Sequence, residues 1–229
     1  MMDITYLGHS SFKLRGKSAA VVTDPFDPKF VGLKFFPPQA DIVTISHGHP
    51  DHNQFNLVKD VKKVISGPGE YEVLGVSIIG VGSFHDEKQG QLRGRNTIYV
   101  YEIDGLRLCH LGDLGQVITD EAAAQLGAID ILMIPTGGEF TIGPKEAITT
   151  IGKIDPYFVI PMHYQTPGLN QDNFAKLSPL ADFLSECRLT VENMLKFTVR
   201  KEEISEDSGA KVIVLNTPLQ TAPKIVHSQ

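Results

Sequence analysis

"TISHGHPDHNQF", residues 44–55, places His47, His49, Asp51 and His52 within a six-residue stretch just after an apolar run ending at Ile45. The chain has 8 histidines in 229 residues, and three of them sit here. At the end of a strand, residues two apart point to the same face. His47 and His49 can therefore aim two imidazoles at one point beyond the sheet edge. Gly48 between them permits close backbone approach, and Pro50 turns the chain. Asp51 and His52 then sit in the turn, expected to open a helix, where they address a second point nearby. Imidazole and carboxylate are borderline ligands suited to zinc, manganese or iron. Four such groups in so short a loop exceed what one tetrahedral ion accepts easily, so two divalent ions fit better.

The rest of the composition bounds what surrounds this cluster. The chain is 41% apolar and 21% charged, with 21 glycines and 14 prolines to supply turns. That length buries a substantial core without staples, and residues 1–217 are expected to form a single domain followed by a loose tail, 218–229, that includes a solvated His227. No apolar stretch is long enough to span a bilayer, and "MMDITYLGHSSFKL" lacks the regions of a signal peptide. Cys109 and Cys187 make no disulfide framework and read as small core hydrophobes. A cytoplasmic protein is expected. The net charge of −6 and the lack of any basic stripe beyond "VKKV" argue against a nucleic-acid partner.

Along the first half, "DITYL", "SSFKLRG", "SAAVVTDP", "ADIVTISH", "VKKVISG", "GVSIIGVGS", "NTIYVYEIDG" and "LRLCHLGD" read as strands, rich in β-branched and aromatic residues. "IDGL" is a hairpin signal, because Asp-Gly tolerates positive φ. The second half alternates. "TDEAAAQLG" predicts a helix capped by Thr119 and ended by Gly127, and "GPKEAITTIGKI" one that starts at Pro144. "IDILMIPTGG", "YFVIPMHY" and "KVIVLNT" predict strands, "NQDNFAKLSPLADFLSE" a helix kinked at Pro179, and "LTVENMLKFTVR" a further strand. The pattern predicts an α/β fold with helices on the outer faces of two packed sheets.

"HGHPDH" matches the H-x-H-x-D-H signature of the metallo-β-lactamase superfamily, and other motifs follow in the family's order. "VVTDP" gives Asp24, "SFHDE" His85, "HLGDLG" Asp113 and "IPMHY" His163. The resemblance runs across nearly the whole chain. "GHSSF", "GPGEYE", "GGEFTIGP" and "PMHY" are most similar to the branch of Zn-dependent hydrolases that resembles the bacterial ascorbate-phosphate lactonase. It implies an αββα sandwich of two mixed sheets, and a first metal held by His47, His49 and His85. Asp51, His52 and His163 would hold a second, with Asp113 bridging. Asp24 would orient the His loop through hydrogen bonds. Two such ions lower the pKa of a shared water, and the resulting hydroxide attacks an ester, lactone or phosphodiester. Catalysis would depend on Asp51, Asp113 and His163, and zinc is the expected metal, with manganese or iron compatible.

Several residues compete for roles. His110 in "LRLCHLGD" rivals His85 as a ligand, though it reads better as a packing or supporting histidine. His9 in "LGHSS" either borders the cleft or packs a turn. Glu70, Glu139 and Tyr164 lie near motif residues but read more simply as surface or packing groups. Arg93 and Arg95 in "QLRGRN" would suit a small anionic substrate. The cleft walls are expected from "HDEKQGQLRGRN" and "FDPKFVGLKFFPPQ", whose Phe26, Phe30, Phe35 and Phe36 would equally make core, substrate wall or the contact of a homo-oligomer. The rival activity is a di-iron oxidoreductase of the same fold. That branch has glutamate where this chain has His49 and adds a flavin domain absent here. A non-catalytic metal-binding protein is the other alternative, and the complete ligand set counts against it.

Overall fold

A computed structural model describes residues 1–204 and 209–217, so the expected tail, 218–229, lies outside the described residues. β1 (Met2–Gly8) alternates buried and half-buried positions, as a strand with one face on the core does. β2 (Ser11–Arg15), β3 (Ala20–Thr23), α1 (Pro28–Val31), β4 (Ile42–Ile45) and β5 (Lys63–Ser66) follow. β6 (Gly69–Val73), β7 (Val76–Phe84), β8 (Arg95–Ile103) and β9 (Leu106–His110) form an antiparallel run. Next come α2 (Asp120–Leu126), β10 (Ile131–Pro135), α3 (Pro144–Ile154), β11 (Phe158–Met162), α4 (Gln171–Phe174) and α5 (Leu180–Glu186). β12 (Thr190–Met194), β13 (Lys196–Val199) and β14 (Lys211–Leu215) close the described chain.

The strands build two mixed sheets. One has six strands in the order β13-β1-β2-β3-β4-β5, the other eight in the order β12-β14-β11-β10-β9-β8-β7-β6. Their inner faces meet in a core where Ile4, Leu14 and Ile42 pack with Tyr101, Met133 and Ile160. On the outer face of the larger sheet, Val100, Leu132 and Val159 pack under Ala147 and Ile151 of α3 and Phe183 of α5. The outer face of the smaller sheet is closed by Val22, Val43 and Val58, a cluster with no residue from the five α-helices. β3, β4 and β10 are buried along their whole length. Covered on both faces, they read as continuous apolar runs rather than as alternating ones.

Local signals work as expected at three places. Thr119 accepts from the Ala122 amide at the start of α2, Gly127 ends that helix at φ 68°, and Pro144 begins α3. The Asp104–Gly105 turn has both residues at positive φ.

Four elements differ from the sequence reading. No helix opens at Asp51, and only a 3-10 turn, Phe55–Leu57, follows. The helix expected across 170–186 is two separate helices. Pro179 has no N–H to continue α4, lies in extended backbone, and makes an isolated bridge with Gln165 before α5 starts. "LTVENMLKFTVR" breaks at the exposed Leu195, because β12 pairs with β14 in one sheet while β13 pairs with β1 in the other. "GEYEV", for which the sequence predicts no element, is edge strand β6 paired to β7.

Two tyrosines of β8 tie the sheets together just before the His turn. The Tyr101 hydroxyl lies 2.7 Å from Thr44 Oγ1, and the Tyr99 hydroxyl donates to the Ile45 carbonyl at 3.0 Å. Tyr101→Phe leaves the Thr44 hydroxyl buried without this partner, and is expected to cost about 1–2 kcal/mol in urea unfolding. Adding Thr44→Val should recover most of that loss, since both polar partners are then gone. Equal stability of wild type and the single variant would show that the bond contributes nothing.

Candidate metal centre

β1, β3 and β4 run in one direction within the smaller sheet, as do β7, β9 and β11 within the larger. Each of these strands delivers a candidate residue where it ends. β1 leads to His9, β3 to Asp24, β4 to the 47–52 turn, β7 to His85, β9 to Asp113 and β11 to His163. Ligand sites of open α/β sheets lie at carboxyl ends of strands for the same topological reason.

The residues expected at the site are brought together there. Asp113 Oδ2 lies 3.2 Å from His52 Nε2, 3.2 Å from His85 Nε2, 3.4 Å from His163 Nε2 and 3.7 Å from His47 Nε2. His47, His49 and His85 form one group whose ligand atoms all fall within 4.8 Å of one another. Asp51, His52 and His163, with His9, form a second such group, and His47, His52 and Asp113 a third between them. The grouping parallels the division that the sequence motifs imply.

The donor atoms fit metal ions on their own chemistry. His47 Nε2, His52 Nε2, His85 Nδ1, both ring nitrogens of His163 and Asp113 Oδ1 are buried without a hydrogen-bond partner. Buried polar atoms are nearly always satisfied. Three of these orphans, the Nε2 atoms of His47, His52 and His163, lie within 3.7 Å of Asp113 Oδ2, an arrangement a cation resolves. Several of the same rings stand edge-on or tilted to each other, with His47 and His85 centroids 4.7 Å apart and His47 and His52 4.2 Å apart.

Asp24 sets which nitrogen faces inward. Burial opposes its ionisation, but His52 and other nearby imidazoles outweigh that and hold its carboxyl below the ordinary range. As an ionised acceptor it takes the Ser46 amide at 2.7 Å, the Ser46 hydroxyl at 2.6 Å and His52 Nδ1–H at 2.8 Å. The Ser46 proton is thereby used, so Ser46 Oγ accepts from His47 Nδ1–H at 2.9 Å. Both histidines are thereby left with Nε2 turned toward Asp113. Burial, followed by the neighbouring His52, lowers the His47 pKa to about 3, so this imidazole is neutral. At Asp113 burial again opposes ionisation, yet His163, His52 and His85 hold the carboxyl well below its usual value.

Asn96 is a supporting residue that the sequence did not flag. It is 1% exposed, its Oδ1 accepts the Asp113 amide at 3.0 Å, and its Nδ2 donates to the Leu111 carbonyl. Gly112, at φ 55°, passes so close that a Cβ would meet Asn96 Oδ1 at 2.3 Å. Asp86 was missed too. Its carboxylate accepts four backbone amides, those of Lys88, Gly90, Leu92 and Arg93, and so straps the loop after His85 into one shape. An acid beside a glycine-bearing polar loop gives no periodic signal, although loop-capping aspartates are a recurring device.

The competitors sort themselves by contacts. His110 is fully buried with both nitrogens used: Nε2 meets the Ser10 carbonyl at 2.8 Å and Nδ1 accepts the Gly112 amide at 3.1 Å. Tyr164 is buried against Tyr6, and burial raises its pKa to about 12. Glu70 is exposed on edge strand β6, Glu139 pairs with Lys176 at 3.6 Å, and Arg95 is exposed at the start of β8. Arg93 does reach the cleft, its guanidinium 5.4 Å from the Phe140 ring centroid. The cleft has a volume of about 400 Å³, with His49, Asp51, His85 and Asp113 at its floor and Phe30, Phe140 and Phe174 in its walls. The two stretches expected to line it thus give Arg93 and Phe30, while Phe26 and Phe35 are core and Phe36 is 62% exposed.

Two packed mixed sheets with histidines and aspartates converging at their strand ends define a metallo-β-lactamase-type fold. Residues 3–163 match the family model of the β-lactamase superfamily domain, and the chain belongs to that family. It is similar to a UPF0173 metal-dependent hydrolase of Thermococcus onnurineus, 32% identical over 72% of this chain and 86% of the relative. A crystal structure from Thermotoga maritima, assigned as a Zn-dependent hydrolase of the metallo-β-lactamase superfamily, is 37% identical with a TM-score of 0.74. It covers 94% of this chain and 98% of its own. The di-iron β-hydroxylase CmlA of Streptomyces venezuelae shares the fold alone, at 13% identity and a TM-score of 0.53, over 71% of this chain and 44% of its own.

Two outcomes are expected from metal analysis of purified variants. His85→Ala should lower the bound metal, whereas His110→Gln should leave stoichiometry unchanged; the reverse result would exchange their roles. Asp24→Asn, which can no longer accept three donors as an anion, should weaken metal binding by about 10–100-fold. Wild-type affinity in that variant would remove Asp24 from the account.

Proposed function

We propose that the protein is a metal-dependent hydrolase that cleaves an ester, lactone or phosphodiester bond in a small anionic molecule at a pair of divalent cations. The observation that carries the proposal is the set of orphaned, buried Nε2 atoms of His47, His52 and His163 gathered around the Asp113 carboxylate. The names of the relatives support hydrolysis as the reaction class. In this reading His47, His49 and His85 hold one ion, Asp51, His52 and His163 hold the other, and Asp113 lies between. Zinc is the first candidate, and the nitrogen and oxygen donors also suit manganese or iron. Bound there, such ions would acidify a water and polarise the substrate oxygen.

The chain's own residues do the rest. Asp51 lines the cleft, and it stays ionised because His52 and His9 outweigh the opposing burial. With Asp113 it places two negative charges where cations are needed. Arg93 stands at the wall with its five-donor fork available to an anionic group of the substrate. Phe30, Phe140 and Phe174 exclude water from that wall and give an apolar part of the substrate a surface. Asp172, also in the wall, places the favoured position of the substrate's charge on the Arg93 side. The motifs shared with the lactonase-like branch put lactones first in any panel. Among the described residues no helix is long and apolar enough to cross a membrane. The unpaired Cys109 and Cys187 suit a reducing compartment, and we assign the protein to the cytoplasm.

The test is metal analysis of the purified chain followed by hydrolysis assays on lactones, thioesters and phosphodiesters. Asp51→Ala and His163→Ala should each lower bound metal and reduce turnover by about 10–100-fold or more, while circular dichroism stays unchanged. A wild-type chain that binds no divalent transition metal, or variants that match it in both assays, would overturn the hydrolase reading.

A further inference from the structure

We infer that His9 is a positioning residue for the second cation site: it fixes Asp51 with its side chain and His163 with its backbone, without being a ligand itself. The inference rests on the dinuclear reading of the preceding subsection. The motifs that supply the implied ligands do not contain His9, which lies in the branch motif "GHSSF", a setting that is equally that of a packed turn.

Three hydrogen bonds and a set of ring contacts converge on this one residue. His9 Nε2 lies 3.1 Å from Asp51 Oδ2, and both groups are buried. Of the two groups only the imidazole has an N–H to offer a carboxylate oxygen, so His9 Nε2 donates to Asp51 Oδ2. The backbone carbonyl of His9 accepts the His163 amide at 3.0 Å and the Tyr6 hydroxyl at 2.8 Å. Its ring lies against the His163 ring, with centroids 4.2 Å apart, and is backed by Phe174 at 5.1 Å and by Phe26 at 6.4 Å. One residue at the end of β1 is therefore hydrogen-bonded to two of the three groups assigned to the second site, Asp51 and His163, and its ring also lies 5.5 Å from that of His52.

The backbone shows the same constraint. His9 has φ 55° and His163 has φ 53°, both in the left-handed region. Non-glycine residues seldom adopt it, although His, Asn and Asp do so more readily than most. The two left-handed residues are hydrogen-bonded to each other, so the turn after β1 and the turn after β11 are locked as a pair. A histidine held this way is preorganised. Its donation to Asp51 Oδ2 holds the carboxylate in one orientation, with that oxygen 3.6 Å from His52 Nε2. Nδ1 of His9 is buried and unpartnered, but with Nε2 already committed to Asp51 the ring serves the site as a donor.

Three variants separate this role from ligation and from simple packing. Gln at position 9 puts an amide N–H near the Nε2 position, so His9→Gln should keep the bond to Asp51. His9→Asn tolerates the left-handed backbone but is too short to reach it, and His9→Ala removes donor and ring together. Each is titrated, metal-free, with Zn²⁺ and separately with Co²⁺, whose absorption spectrum reports the ligand field, while thermal unfolding of the metal-free chains tracks stability.

The expected result is two binding events in wild type. In His9→Asn one of them should weaken by about 10-fold or more, with the other within about twofold of wild type. His9→Gln should keep both within about threefold and leave the Co²⁺ spectrum unchanged. If His9→Ala fails to fold, the Asn and Gln pair still decides the matter. Wild-type affinities at both sites in His9→Asn would overturn the positioning role. So would a His9→Gln variant as weak as His9→Asn, or one with an altered Co²⁺ spectrum, because that outcome makes His9 a ligand. Fewer than two ions bound by the wild-type chain would instead remove the dinuclear reading on which the inference stands.

Discussion

A single buried carboxylate, Asp24, constrains everything near the His turn. Three donors reach it, the amide and hydroxyl of Ser46 and the Nδ1–H of His52. An acid at 1% exposure is unfavourable unless its charge is met, and here each of those donors belongs to the turn that carries the candidate ligands. Removing the charge does more than lose hydrogen bonds. It frees the rings of His47 and His52, and with them the direction in which the two Nε2 atoms point. The cost of burying this charge and the order of the turn beside it have the same source.

That carboxylate can act over so many residues because the scaffold brings strand ends, not loop tips, to one place. Backbone at the end of a buried strand is fixed by its ladder, and β3 and β4 are fully buried. Tyr99 and Tyr101 then hold β4 to β8 immediately before the turn, and the Thr97 amide donates to the Ser46 carbonyl at 2.9 Å. Side chains on such elements are placed more closely than side chains on free loops. The half-exposed Arg93 and Phe140 of the cleft come from connections instead, where sequence can change without disturbing the sheets.

The sequence was legible where chemistry is dense or periodicity is clean. His47, His49, Asp51 and His52 announce themselves by spacing, and Asp113 and His163 by following apolar strands. Thr119, Gly127 and Pro144 mark helix ends through caps that act within one turn. What stayed hidden depends on contacts distant in sequence. Strand β6 has two glutamates and a glycine in five residues and is a strand only because β7 pairs with it. The break at Leu195 reflects a change of sheet, which no local propensity encodes. His110 resembles a ligand in sequence, and only the Ser10 carbonyl, a hundred positions away, shows that its Nε2 is taken. Asn96 and Asp86 look like ordinary polar residues until their amide partners are known.

The loop strapped by Asp86 has a consequence for how proteins of this kind diversify. All four amides that the carboxylate gathers lie within seven residues of it, so the loop's shape is specified locally, while His85 beside it is set by the strand below. Such an arrangement works as an exchangeable cassette. Drift at the exposed positions Glu87, Gln89, Gln91 and Leu92 can recolour the mouth of the cleft, one lineage at a time, and leave the chemistry at its floor inherited intact.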